Sequence, residues 1–431
     1  MKPFALLLPR LHVRNQRLLL TGSAGVAQRL GQVVASLVIL PVTLHTLGLP
    51  GFGVWGAATS LSWAGGMLDL GLGGALVSLL PALRDEPERQ RDTVATCLLT
   101  GVSFAVLLLT GTIVLLAINP HLMPAPAFVV AGICLYLNIP LGLAFALWLG
   151  MQKGHVSNLW DGISTLLMVT LTLLGMVLRA GPAFMTLAII GPPVLTNAGS
   201  MMHALICHPE LRPERWPDFF ALWAPLRHGV LLALLSISSA MTYVFDNVLT
   251  LHWLGAMAAA QMALALRICF TANSLLIAAT GGIWPEFVEA NAKRDHIWAR
   301  RTLLRGTTIT LGLALGGSAL ICLGGNRLLS FWLRENIALP SSLFVAITCW
   351  IVTQALPRVS GLLLTAMHCY KSQLFLVVIA TVFSLIAKYS LAQVFGTSGV
   401  LNATTIAWGA FVTPCFMLLA LRATRVPPLP A

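Results

Sequence analysis

Residues 18–47 read LLLTGSAGVAQRLGQVVASLVILPVTLHTL. At 1.5 Å per residue this run is long enough to cross a hydrocarbon core of ~30 Å, and it carries Arg29 near its middle. The glycines and proline of GLPGFG, residues 48–53, predict a turn. A second apolar leg follows over residues 54–80, with Asp69 in DLGLGGAL, and ends at Pro81. A charge at mid-membrane costs roughly 2.5–3.5 kcal/mol on insertion scales, so Arg29 is expected to face protein or water and is a functional candidate.

The same pattern recurs along the chain. Apolar runs of membrane-crossing length are centred near residues 32, 66, 106, 137, 169, 195, 240, 272, 313, 355, 384 and 410. With 57% hydrophobic and 9% charged residues, against about a quarter charged in soluble domains, the expectation is an all-α polytopic membrane protein with about twelve transmembrane helices. The formal charge of +12 lies on scattered single residues and forms no basic stripe, so no nucleic-acid partner is expected.

Most of the 26 Lys and Arg fall in the N-terminal segment, in the connections after the even-numbered spans and in the C-terminal tail. The opposite connections hold only Arg179, Arg327 and Arg334. By the positive-inside rule both termini are expected in the cytoplasm. MKPFALLLPRLHVRNQR has too short an apolar run for a secretory signal and no small-residue cleavage site. No cysteine pair has CxxC spacing, and the eight cysteines read as packing residues, with no metal site and no cofactor implied.

An internal repeat is visible. His45-Thr-Leu-Gly48 matches His252-Trp-Leu-Gly255, Pro81 with Arg91-Asp92 matches Pro285 with Arg294-Asp295, and Pro140 and Met151 match Pro357 and Met367. Two six-helix lobes of one orientation follow, related by a pseudo-twofold along the membrane normal. The expected division is an N-terminal lobe over residues 1–207, a proline-rich cytoplasmic linker over 208–227, in which FFALW suits an interfacial helix, and a C-terminal lobe over 228–431. Pro140 and Pro357 are expected to kink their helices.

The run LGLPGFGVWGAATSLSWAGGMLDLGLGGAL, residues 48–77, resembles the second-helix signature of the polysaccharide transporters, the O-antigen flippase branch of the multidrug/oligosaccharidyl-lipid/polysaccharide exporter superfamily. AQMALALRICFTANSLLIAATGGIWPEF, residues 260–287, adds a weaker likeness to the eighth helix of that family. The resemblance implies a two-lobed transporter, not an enzyme, in the bacterial inner membrane. It implies a polyprenyl-pyrophosphate-linked oligosaccharide as cargo, alternating access as mechanism, and membrane lipids and polysaccharide polymerase machinery as partners. Related lipid flippases carry arginines on the first and eighth helices, and Arg29 and Arg267 stand in such places.

Four basic residues fall inside spans: Arg29, Arg267, Arg358 and Lys388. Arg29, Arg267 and Arg358 suit a cationic substrate cavity, because a guanidinium stays charged and donates two parallel hydrogen bonds to phosphate. Asp69 and Asp246 suit either ion coupling or charge pairing, Asp69 with Arg29 and Asp246 with Arg267. Lys388 reads as a residue that snorkels towards the interface. His45 and His252 read as polar interface residues, and Trp148, Trp160, Trp253 and Trp332 as an aromatic belt. A cation-coupled multidrug exporter of the same fold is the alternative. It would favour acidic over basic residues in the spans. A membrane polymerase or glycosyltransferase would need a carboxylate pair, whereas the outer connections hold one acid, Glu335.

Overall fold

A computed structural model describes residues 8–61, 71–119, 125–212, 223–280, 283–333, 339–367 and 369–424. The described residues are helical, with no strand. In chain order the helices are α1 (Leu8–Ser60), α2 (Leu72–Ala82), α3 (Pro87–Ile118), α4 (Pro126–Leu141), α5 (Leu143–Gly150), α6 (Gly154–Val177) and α7 (Pro182–Cys207). They continue as α8 (Trp223–Thr280), α9 (Ile283–Ala292), α10 (His296–Leu333), α11 (Ser341–Ala355), α12 (Arg358–Ala366), α13 (Tyr370–Ala407) and, after a π-helical turn Trp408–Val412, α14 (Thr413–Ala423). Among the described residues eight helices are long and apolar enough to cross a membrane. The chain is a multi-pass membrane protein.

Some of the eight hold more than one crossing, because they fold back on themselves. A straight α8 would be about 87 Å long at 1.5 Å per residue, yet the rings of Tyr243 and Phe270 stand 6.1 Å apart. The reversal is at Gly255, whose φ of 83° and ψ of 178° are non-helical. Gly48 takes nearly the same angles, 63° and 172°, inside α1. In α13 the break is at Gly396, and Ser384 Oγ lies 3.2 Å from Thr404 Oγ1 across it. The turn expected over residues 48–53 is therefore a single residue. Helical geometry resumes at once because Pro50, with φ already near the helical value and no N–H to satisfy, sits in the first turn after the break. The φ/ψ region of Gly48 and Gly255 is essentially restricted to glycine. Gly255→Ala should cost about 1–3 kcal/mol, read as a lower thermal unfolding midpoint.

By contact density the chain forms two units, Met1–Gly51 with Leu61–Ala233, and Phe52–Ser60 with Leu234–Ala431. Each has the same internal scheme. In the first, α2 packs on α5, α3 on α4, and α4 on α7. In the second, α9 packs on α12, α10 on α11, and α11 on α13. The proline breaks match too: Pro140 precedes the division of α4 from α5, and Pro357 divides α11 from α12. Met151 and Met367 follow the last residues of α5 and α12. The repeat in the sequence is thus a repeat of structure.

The core of the first unit is built on Leu72, Leu76, Leu80, Leu143, Leu147 and Trp148. Trp148 is 1% exposed and its indole donates to Ser200 Oγ at 3.0 Å, so it is a core residue and not part of an interfacial belt. The second unit packs Phe287, Leu303, Val359, Leu363 and Phe416 at the corresponding place. Its small residues allow a very close crossing. A Cβ on Gly53 would collide with the carbonyl oxygen of Ala256 and lie 3.0 Å from Ala260 N, and one on Gly56 would lie 2.6 Å from Ala263 Cβ. FFALW of the expected linker lies mostly outside the described residues.

Candidate binding cavity

The polar interior of the second unit begins with spacing. Ser238, Thr242, Asp246 and Thr250 recur every fourth residue along the apolar α8, and Thr381, Ser384 and Lys388 recur at three- and four-residue intervals along α13. Each set therefore lies on one helix face. The two faces meet. Thr242 Oγ1 and Thr381 Oγ1 are 2.9 Å apart, and Thr381 Oγ1 donates to Ser238 O at 2.9 Å. Lys388 Nζ lies 2.5 Å from Asp246 Oδ1, both side chains fully buried, and also donates to Thr242 O. Asp246 accordingly pairs with Lys388 and not with Arg267, and Lys388 does not snorkel. Helix rotation decides this: the face of α13 bearing Lys388 is turned onto α8, and the hydroxyl ladder beside it holds it there.

Beyond this seam lies a cavity of about 290 Å³. Tyr243 is the hub of its wall: its ring centroid is 5.8 Å from those of Trp350 and Trp408 and 6.1 Å from that of Phe270. Trp408 opens the π-helical turn of residues 408–412, a distortion that inserts a residue and occurs often at functional sites. Arg358, the first residue of α12 after the Pro357 break, lines the same cavity. Its Nη2 donates to Asn273 Oδ1 at 2.6 Å, while its buried Nε has no hydrogen-bond partner. The buried indole N–H groups of Trp350 and Trp408 have none either. No carboxylate lines the cavity.

Arg267 lies on α8, one turn before Phe270, half-buried and without an ion-pair partner among the described residues. Arg29 is on α1, but its side chain lies outside what is described, and Asp69 lies outside the described residues altogether. His45 and His252, three residues before the matching glycines, are exposed.

Neither the family models nor the curated proteins compared contain a match to the sequence. Solved structures do match, along nearly the whole chain. An inward-facing multidrug resistance MATE family transporter of the MOP superfamily superposes with a TM-score of 0.70 at 16% identity, covering 91% of this chain and 98% of that one. The MOP-superfamily fold is the one seen here. The lipid II flippase MurJ in an inward closed conformation gives 0.68 at 11% identity, covering 92% and 87%. A Vibrio cholerae MATE transporter gives 0.60 at 13% identity, covering 95% and 99%. At such identities the MOP likeness fixes architecture and leaves the cargo to be argued from the side chains.

Proposed function

We propose that the protein is a transporter of the bacterial inner membrane, both termini cytoplasmic, that carries a polyprenyl-pyrophosphate-linked oligosaccharide, a polysaccharide or O-antigen precursor, to the outer leaflet. The observation that carries this reading is the charge balance inside the second unit. Asp246, its one intramembrane carboxylate among the described residues, is committed to Lys388. Arg358 stands in a cavity that no carboxylate lines, and Arg267 is half-buried without a carboxylate partner among the described residues. Such an interior favours an anionic cargo, because a buried guanidinium gains most from a carboxylate or phosphate. Arg29 is a further candidate on the first unit.

The alternative is a cation-coupled multidrug exporter, the activity named for the MATE relatives of this fold. An organic cation would need a free carboxylate, and among the described residues of the second unit Asp246 is paired with Lys388. Arg267→Glu and Arg358→Glu are each expected to cut translocation at least tenfold, since a charge-assisted hydrogen bond is worth about 1.5–3 kcal/mol. The measurement is surface polymer per unit of inserted protein. Unchanged export by both variants would overturn the assignment of these arginines.

A further inference from the structure

We infer that the cavity around Arg358 is a subsite for a single acidic sugar ring, a hexuronate unit of the cargo. This rests on the oligosaccharide reading above and deepens it.

Size comes first. A cavity of about 290 Å³ has room for a pyranose ring. The wall chemistry comes second. Tyr243, Phe270, Trp350, Trp408 and Phe416 contribute aromatic rings from separate segments of the unit. The axial C–H face of a pyranose is apolar and packs on such rings, while its hydroxyls reach for polar side chains. Asn273 and Thr365 line the cavity as well.

Charge is the third point. Arg358 lines the cavity and no carboxylate does. One guanidinium with no competing carboxylate matches one negative charge, so a carboxylate fits. A pyrophosphate would bring two or more charges into an aromatic box with one cation to meet them, and the uncompensated charge would be costly to desolvate. The arrangement therefore assigns the sugar carboxylate here and leaves the pyrophosphate to other basic groups.

Saturation-transfer difference NMR on the full-length protein in nanodiscs tests this, with free D-glucuronate, D-glucose and inorganic pyrophosphate as probes. The expected result is millimolar binding of glucuronate, saturation strongest on its axial ring protons, and binding of glucose at least tenfold weaker. Arg358→Gln should bring glucuronate down to the level of glucose. Equal binding of glucose and glucuronate, undiminished binding by Arg358→Gln, displacement of glucuronate by equimolar pyrophosphate, or no sugar binding at all would each overturn the inference. The assay reads no transport. Arg358-dependent glucuronate binding by a protein that fails to move lipid-linked oligosaccharide would keep the subsite and discard the cargo, and lipid-linked transport without glucuronate binding would do the reverse.

Discussion

Lys388→Met should destabilise the protein by about 3–5 kcal/mol, the usual consequence of removing one partner of a buried pair, and lower its thermal unfolding midpoint by roughly 10 °C at ~2–4 °C per kcal/mol. Both side chains are fully buried and their closest atoms are 2.5 Å apart. Asp246 Oδ2 has no hydrogen-bond donor among the described residues, so Lys388 is what neutralises this carboxylate. Methionine preserves the length and apolar stem of lysine and leaves the charge of Asp246 stranded. The double variant Lys388→Met with Asp246→Leu should recover most of the loss, since exchanging a whole buried pair for apolar residues of similar volume is often neutral or better. Thermal unfolding in one detergent, over the two single variants and the double, measures the coupling. Losses in the single variants that simply add in the double would show that the two residues do not depend on each other.

Gly53→Val should be among the most damaging changes at a glycine. The added Cβ would overlap the carbonyl oxygen of Ala256 and crowd Ala256 C and Ala260 N, each at 3.0 Å. These are backbone atoms of a helix and cannot rotate away. The crossing must open, and residues 52–60 lose their packing on α8. Overpacking costs about 1–3 kcal/mol even where side chains can adjust, and here none can, so the upper end or more is expected. Gly56→Ala, where the neighbour is Ala263 Cβ at 2.6 Å, should cost less. Gly312→Ala, with nothing within 4 Å of the new Cβ, should be neutral or slightly stabilising through helix propensity. A ranking of unfolding midpoints other than Gly312→Ala above Gly56→Ala above Gly53→Val would contradict the crossing as described.

Much of the architecture is legible in the residues because the bilayer leaves few choices. Apolar runs of fixed minimum length must become helices, so each expected span coincides with helix except the one centred near residue 66, which lies outside the described residues. The repeat could be found from Gly48 and Gly255, and the structure gives the reason for the match: both positions need the same glycine-only angles. The expected turn at residues 48–53 is longer than the one formed, since GLPGFG reads as a loop by composition while Pro50 in fact restarts the helix.

The interior was less legible because spans are apolar on every side, and hydropathy does not say which face turns inward. Lys388 illustrates this. Its position in the outer half of a span suggested an escape towards the interface, but Thr381 and Ser384 mark its face as the inner one. The four-residue spacing of Ser238, Thr242, Asp246 and Thr250 was the available signal for the partner helix. The aromatic cavity had none. Tyr243, Phe270, Trp350 and Trp408 lie tens of residues apart and meet only through the reversal at Gly255 and the π-helical turn. Trp148 shows the same blindness, since proximity to a helix end in sequence could not reveal its burial against Ser200.

The sign of the cargo's charge separates a lipid-linked-sugar transporter from a multidrug exporter. Purified protein in liposomes, offered a fluorescent polyprenyl-pyrophosphate oligosaccharide in one set and an organic dye cation under an imposed proton or sodium gradient in another, tests that directly. The account predicts transfer of the lipid-linked sugar between leaflets, abolished by Arg267→Glu and Arg358→Glu together, and no gradient-driven movement of the dye. Dye transport with no transfer of the lipid-linked sugar would contradict it and leave a multidrug exporter in its place.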